Sequence, residues 1–426
     1  MSGSPRAQSF PSDAHNAEQR LLVCRDARIM AADISVRIAV PPDRESQAVA
    51  TAEACMAWMR LVDATLSRFQ PESELSRLNA SAGAWFPASD LLYDAVEAAV
   101  RAARASHGLF DPTILPRLEA LGYDRDFAEI AHREVASSPR SKCESTDLTP
   151  ALTRHPNGTP WRSLSGRSLS SWERGTGGEV RSQGQSAAGE QGVRSISLDP
   201  TTRRIRLPRG VRIDLGGIAK GWAADLALER ICREYDHALI NVGGDLRAKG
   251  GPQPGESWSA GVFDPRAQAA GLPDRYAAVV SMSRGGLATS GSVRRWWLRD
   301  GKRRHHLLDP RTGEPIRLWM DERDDPDGER LIATATALAP TAARAEVAAK
   351  VALLRGYPEA LRAVEASWAR YAAVGPEDDA ESGVALLLVL GSGRVVLSAN
   401  VEAYLTSWGT AGAALPIRIP TGEVRD

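Results

Sequence analysis

The sequence has few cysteines and no long apolar run. Its four cysteines, Cys24, Cys55, Cys143 and Cys232, are widely spaced and form no C-x-x-C pair, which disfavours a zinc site and indicates reduced thiols. No apolar run approaches the roughly 20 residues that span a bilayer. The N-terminus lacks an apolar signal segment and a lipid-anchoring cysteine. We therefore expect a cytoplasmic protein with no membrane-spanning segment.

An excess of charge is also lacking. Lysine plus arginine and aspartate plus glutamate both number 53, so the formal net charge is zero. Because nucleic-acid-binding proteins usually carry a basic excess, no nucleic-acid partner is expected. A hydrophobic fraction of 43% and a charged fraction of 25% are typical of globular proteins.

Apolar periodicity indicates both strands and helices. Residues alternate between apolar and polar from Ile34 to Val40, which predicts a strand. A helix is predicted from Arg44 to Ser67, and a second one begins after Ser89 as N-cap and stops at Gly108.

The second half of the chain predicts a hairpin, a helix and a meander. The segment SISLDPTTRRIRLPRGVRIDLGG indicates a hairpin that leads into a helix over Ile218–Tyr235. Several strands follow, then a helix over Pro340–Arg355 that ends at Gly356, then strands near VALLLVL and RVVLSA. The expected fold class is α+β, with largely antiparallel sheets and helices packed on them.

Composition sets the expected boundaries. Residues 132–192 are rich in Ser, Gly and Arg and poor in aliphatic residues, so they cannot bury enough apolar area to offset their chain entropy. We interpret them as a disordered insertion within a single domain over residues 28–410. Residues 1–27 are expected to be a flexible N-terminus and residues 411–426 a C-terminal tail.

The segment DLGGIAKG joins a strand to a helix. Gly216 and Gly217 allow a ligand to approach the backbone closely, and a helix N-terminus attracts anions. Lys220, one turn into the helix, could reach a phosphate. The pattern is not a P-loop. The alternative is a tight turn followed by a surface lysine.

The segment HHLLDPRTG ends a strand in an Asp-Pro turn. His305 and His306 are adjacent, so they face opposite sides of the strand and at most one can point into a pocket. Asp309 and Thr312 can bond to the backbone of the turn.

Seven segments in order resemble one family, the FAD:protein FMN transferases (ApbE-type flavin transferases). They are RFQPESELSRLN, GLFDPTILP, RIDLGGIAKGWAAD, INVGGDLRAKG, ATSGSVRRWW, HHLLDPRTGEP and APTAARAEVAAKVALLRG. The resemblance implies a T-fold-like architecture. It also implies transfer of FMN from FAD, through a phosphoester bond, to a threonine (or serine) of an acceptor flavoprotein, with release of AMP and assistance from Mg²⁺.

The resemblance also implies roles for individual residues. His306 matches a histidine suited to accept a hydroxyl proton near neutral pH. The implied catalytic residues are His306, Lys220 and Asp309, and the implied metal-site residues are Gly217 and Glu346. The residues implied to bind the flavin nucleotide are Met30, Phe69, Leu109, Phe110, Asp111, Asp214, Lys220, Leu307 and Leu308.

Two departures from the family pattern concern the site. The family's Met-Gly-Thr motif reads Met30-Ala31-Ala32 here, and Glu346 and Lys350 stand where the family has an Asp and a Thr as metal ligands. An ammonium group cannot ligate a metal, so we infer that Lys350 takes the place of Mg²⁺. The alternative is an ordinary i,i+4 helix pair worth about 0.2–0.5 kcal/mol.

The same residues are compatible with two other functions. An FAD pyrophosphatase would use water in place of the acceptor. A non-catalytic FAD-binding protein would have lost its metal site. Glu346 and Lys350 distinguish a metal-dependent enzyme from a binding protein. A metal-dependent enzyme tolerates this pair poorly, whereas a binding protein does not depend on a metal site.

Overall fold

The computed structural model describes residues 20–127, 129–130, 192–272, 275–291, 293, 295–299, 302–317, 319–320, 325–374 and 383–410. The predicted insertion over 132–192 lies outside the described residues except for its last residue, and the predicted tail over 411–426 lies outside them entirely. The predicted flexible segment over 1–27 is wrong for its last part, because a strand begins at Leu21 and pairs with the strand after it.

The strands form one large sheet and smaller ones. The large sheet has eight strands in the order β1-β2-β6-β7-β10-β15-β16-β17, and every neighbouring pair is antiparallel. Two three-stranded sheets, β18-β9-β8 and β3-β5-β4, and the hairpins β11-β12 and β13-β14 accompany it. The strands are β1 Leu21–Ile29, β2 Ala32–Val40, β3 Trp85–Pro87, β4 Ser197–Asp199, β5 Arg204–Arg206, β6 Ala238–Val242, β7 Asp245–Lys249, β8 Trp258–Phe263, β9 Tyr276–Met282, β10 Arg284–Gly291, β11 Trp296–Arg299, β12 Lys302–His305, β13 Leu308–Asp309, β14 Glu314–Pro315, β15 Ile332–Ala339, β16 Ala385–Leu390, β17 Val395–Leu397 and β18 Leu405–Thr410.

The α-helices follow the predicted pattern in part. The side chain of Ser89 accepts a hydrogen bond from the Leu92 N–H, so the predicted N-cap is confirmed. The helix predicted over Ile218–Tyr235 is shorter, and a π-helical turn over Ala227–Ile231 ends it. The α-helices are α1 Glu45–Leu66, α2 Glu74–Ala80, α3 Asp90–Ala105, α4 Leu115–Ala120, α5 Ala219–Leu226, α6 Pro265–Ala269, α7 Ala342–Arg355 and α8 Glu359–Val374.

The large sheet is buried on both faces at β16. In β16, Leu386 and Leu388 pack into the same core as residues of α7, whereas Leu387 and Val389 pack into a core shared with β8 and β9. Double burial explains why this strand is a continuous apolar run rather than an alternating one. On the helical side, α1 packs on β1 and β2, and α7 packs on β10 and β15 and against α5.

These elements confirm the predicted α+β class, with antiparallel sheets and packed helices. In the part of the chain that the structure describes, no helix is long and apolar enough to cross a membrane. The contact between α5 and α7 brings the start of α5 next to the first two turns of α7. A Cβ atom at Gly221 of α5 would lie 2.5 Å from the Ala342 carbonyl carbon, so only glycine permits this approach.

Candidate functional site

A cleft of about 740 Å³ lies where the β1–β2 turn, the end of α1, the start of α5 and one face of α7 meet. Its volume falls within the range of about 300–1,000 Å³ that is usual for ligand pockets. Every residue predicted to bind the flavin nucleotide lines it, together with three other predicted site residues: Met30, Phe69, Leu109, Phe110, Asp111, Asp214, Lys220, Leu307, Leu308, Gly217, His306 and Glu346.

The β1–β2 turn projects Met30 into the cleft. Ile29 pairs with Ala32, so Met30 and Ala31 form a two-residue loop. Both have positive φ angles, 57° for Met30 and 50° for Ala31, which is the geometry of a type I′ hairpin turn. Glycine adopts this region more readily than alanine, so Ala31 occupies a position that the backbone would favour for glycine.

The Gly216–Gly217 turn contacts the Asp214 carboxylate at one residue and the side chains of Phe110 and Lys350 at the other. Asp214 Oδ1 accepts a hydrogen bond from the Gly216 N–H at 2.8 Å. A Cβ atom at Gly217 would lie 2.8 Å from Cε2 of Phe110 and 3.5 Å from Cε of Lys350, so glycine is required for this approach.

The backbone donors near the start of α5 are already engaged within the protein. The Ile218 and Ala219 N–H groups donate to the Leu215 carbonyl, and the Gly221 N–H donates to the Glu346 carboxylate. These particular donors are therefore not directed at a ligand.

Arg68 is a cleft residue whose importance the sequence did not indicate. Its side chain is only 5% exposed, and its Nε lies 3.2 Å from Asp214 Oδ2. The guanidinium carbon lies 4.1 Å from the ring centroid of Phe69 and 4.5 Å from that of Tyr123, within the range of a cation–π contact. Its Nη2 atom is buried and has no hydrogen-bond partner among the described residues. Arg68 thus links Asp214 to the aromatic wall of the cleft.

A cluster of two lysines and two acidic residues lies at the floor of the cleft, and Lys220, Glu346 and Lys350 of this cluster line it. The Lys220 ammonium contacts the Asp245 carboxylate and lies 3.2 Å from Glu346 Oε1. Lys350 Nζ lies 3.2 Å from the same oxygen and donates to the Glu346 carbonyl, also at 3.2 Å. The Gly221 N–H donates to Glu346 Oε2 at 2.9 Å. Both oxygens of a carboxylate that is 1% exposed are therefore engaged.

Burial and charge set the protonation of this cluster. Burial lowers the pKa of Lys220 to about 8, against the attraction of Glu346. Although burial alone would raise the pKa of Glu346, the ammonium groups of Lys220 and Lys350 hold it below its usual value. Glu346 is therefore ionised at neutral pH, and Lys220 is mostly protonated there.

His306 lines the cleft as a neutral imidazole. Burial and the positive charge of Arg295 place its pKa well below the usual value. Its Nδ1 lies 3.4 Å from the Arg295 carbonyl oxygen. Because a carbonyl only accepts, Nδ1 carries the hydrogen in this contact and Nε2 keeps a lone pair. His305 does not line the cleft, and its Nε2 bonds to the Ile316 carbonyl instead. The prediction that at most one of the two faces the pocket is confirmed.

Asp309 lies outside this cleft. Its carboxylate accepts hydrogen bonds from the Arg311 backbone N–H at 2.9 Å and from the guanidinium of the same residue at 2.7 Å. It lines a separate cavity of about 240 Å³. The geometry assigns it to stabilising the Asp-Pro turn, rather than to the catalytic role expected from the sequence.

The model of the ApbE family matches residues 30–159 and 163–374. Relatives named FAD:protein FMN transferase include one from Klebsiella pneumoniae strain 342, 36% identical over 30% of this chain, and one from Haemophilus influenzae, 29% identical over 41% of it. These matches cover 37% and 47% of the relatives' own lengths, less than two thirds of each. Another Klebsiella relative of the same name is 25% identical over 73% of this chain and 72% of its own length.

Two solved structures share the fold. The ApbE protein of Thermotoga maritima has a TM-score of 0.61 at 23% identity and matches over 90% of this chain and 99% of its own. The apo flavinyl transferase ApbE of Pseudomonas stutzeri has a TM-score of 0.59 at 21% identity, over 93% of this chain and 99% of its own. At these identities the likeness establishes the architecture.

Proposed function

From the premise that the chain belongs to the ApbE family, we propose that it transfers FMN from FAD to a threonine (or serine) of an acceptor flavoprotein and releases AMP. Its matched relatives are named FAD:protein FMN transferases. FAD is the proposed substrate and a flavoprotein the proposed partner, while the expected cytoplasmic location stays a prediction.

The convergence of distant segments on one cleft carries this proposal. Met30, Phe69, Lys220, His306 and Glu346 belong to five different parts of the sequence, and all of them line the same cavity. Its apolar and aromatic walls suit a flavin ring. Its floor carries two ammonium groups that can face phosphate oxygens.

His306 is the proposed proton acceptor. The acceptor hydroxyl oxygen bonds to the phosphorus of the FMN half while the bond from that phosphorus to the bridging oxygen breaks. The hydroxyl proton passes to Nε2 of His306, and AMP leaves with the bridging oxygen. A neutral imidazole is required for this role, and the lowered pKa of His306 keeps it neutral at physiological pH.

The residues at the expected metal position do not fit Mg²⁺. Magnesium takes oxygen ligands in near-octahedral geometry, whereas Lys350 provides an ammonium there and Glu346 already binds two ammonium groups and an N–H. Among the described residues, no group of three or more His, Cys, Asp or Glu side chains could hold a metal ion. No step of the proposed reaction is therefore assigned to Mg²⁺.

Chromatography of the nucleotide products tests the proposal. The full chain is incubated with FAD and with a flavoprotein that carries an acceptor threonine, and a parallel sample contains the same protein with that threonine replaced by valine. We expect AMP release only with the threonine protein and no free FMN. Equal amounts of free AMP and FMN in both samples would identify a pyrophosphatase, and FAD binding without either product would identify a binding protein.

A further inference from the structure

We propose that Lys350 is the built-in cation of this site, which excludes a divalent metal from Glu346 and lets FAD bind without Mg²⁺. The inference rests on the proposed function in one respect, that FAD is the ligand. It concerns the cluster of Lys220, Lys350, Glu346 and Asp245 on the floor of the cleft.

The geometry leaves no position for a divalent ion at Glu346. Two ammonium nitrogens lie 3.2 Å from its Oε1, and the Gly221 N–H occupies Oε2 at 2.9 Å. A metal bound to either oxygen would lie within a few ångströms of both ammonium groups. Like charges at such distances repel strongly in a buried site, and the Glu346 side chain is only 1% exposed. Lys350 and a divalent ion therefore exclude each other.

Lys350 is placed to face a ligand phosphate. Its side chain is 17% exposed and lines the cleft, and its Cε lies next to the Gly216–Gly217 turn. The Lys350 ammonium has three N–H donors. Two of them bond to the carbonyl and carboxylate oxygens of Glu346, which leaves one for a ligand.

The contacts of this cluster also indicate which positive group can balance the negative charge of a phosphate. The Gly216, Ile218, Ala219 and Gly221 N–H groups bond within the protein. The Lys220 ammonium is held between Asp245 and Glu346. Lys350 has fewer acidic neighbours than Lys220, so its charge is the more available to a dinucleotide. A pyrophosphate bound here gains a charge-assisted hydrogen bond from Lys350.

The test measures FAD affinity by flavin fluorescence in EDTA and in excess Mg²⁺, using the full chain after removal of metals. We expect the two dissociation constants of the wild type to agree within about twofold. A tenfold or greater loss of affinity in EDTA that Mg²⁺ restores would overturn the inference while leaving the proposed function intact. No FAD binding in either medium would overturn both. This comparison needs no variant.

Two substitutions at one position separate charge from metal ligation. Lys350→Thr replaces the ammonium with a hydroxyl oxygen, so FAD affinity should become at least fivefold higher in Mg²⁺ than in EDTA. Lys350→Met removes the charge without adding an oxygen, so it should weaken FAD in both media equally. If Lys350→Met bound FAD as tightly as the wild type, Lys350 would not serve the ligand and the inference would fail.

Electron paramagnetic resonance of Mn²⁺ gives a readout independent of activity. Wild-type protein with FAD should leave the free Mn²⁺ signal equal to that of FAD alone. Lys350→Thr should reduce this signal in proportion to protein. Bound Mn²⁺ in the wild type that Glu346→Gln abolishes would show that a divalent ion does occupy Glu346 and would contradict the inference.

Discussion

Lys350 Nζ lies 3.2 Å from Glu346 Oε1, one turn away on α7. The pair differs from an ordinary exposed helix pair, because Glu346 is buried. In addition, the ammonium of Lys220 contacts the same Glu346 oxygen. The alternative of a merely helix-stabilising interaction therefore does not account for it. The pair belongs to the cleft that holds the predicted flavin-binding residues.

Replacing His306 should separate binding from transfer. His306→Asn removes the proposed proton acceptor but keeps a small polar side chain in the cleft. We expect the transfer rate to fall by about 10²–10⁴-fold, while the FAD dissociation constant changes by less than about threefold. Single-turnover rates and fluorescence titrations measure the two quantities. A variant that loses both equally would show that His306 only supports the fold of the cleft.

The dependence of kcat/KM on pH below 7.5 should show that the imidazole of His306 is neutral. Burial lowers the pKa of His306 well below its usual value, so its base form persists as the pH falls through 6.5. We expect kcat/KM to stay level from pH 7.5 to 6.5. A histidine with an ordinary pKa would lose about half of its base form at pH 6.5, and a half-loss there would contradict this assignment.

Arg68 should matter far more for stability than an exposed arginine. Arg68→Met removes the charged partner of Asp214 in a partly buried site and leaves the carboxylate only its Gly216 N–H contact, so we expect the free energy of unfolding to fall by about 1–3 kcal/mol. Arg28→Met removes an exposed ion pair with Asp33 and should change it by no more than about 0.5 kcal/mol. Urea unfolding measures both variants, and equal effects would show that the Arg68 contact contributes nothing specific.

The turn at Ala31 should be improved by glycine. A left-handed conformation costs an L-residue about 1–2 kcal/mol, and the greater unfolded-state freedom of glycine offsets about 0.5–1 kcal/mol of that. Ala31→Gly should therefore stabilise the fold by up to about 1.5 kcal/mol. The control Ala54→Gly, at an exposed position inside α1, should destabilise it by about 1 kcal/mol. Destabilisation by both would show that Ala31 does not have a positive φ in solution.

Motifs predicted the site better than periodicity predicted the fold. The segments around Met30, Phe69, Asp214 and His306 all reach one cleft, because each places a specific residue type at a turn or an element end. Arg68 was missed because its role depends on Tyr123 and Asp214, which are distant in sequence. No local pattern encodes such a contact.

Some helices and strands have a clear sequence pattern that was not used to predict them, and others have no clear pattern. The helix Glu359–Val374 is rich in alanine, a strong helix former, and could have been predicted. The strand Leu21–Ile29 has few buried residues, so its apolar pattern is weak, and only its pairing with β2 defines it. The helix after Lys220 is shorter than its apolar pattern, because a π-helical turn ends it at Ile231.

The intact mass of the acceptor protein tests the central claim most directly. The full chain, FAD and an acceptor with its threonine are incubated in EDTA and, separately, in Mg²⁺. We expect the acceptor to gain the mass of FAD less that of AMP, which is one FMN less one water, in both media, because the proposed roles of His306 as proton acceptor and Lys350 as cation require no metal. An acceptor whose mass does not change in either medium would contradict the proposed transferase, and a gain only in Mg²⁺ would contradict the role of Lys350.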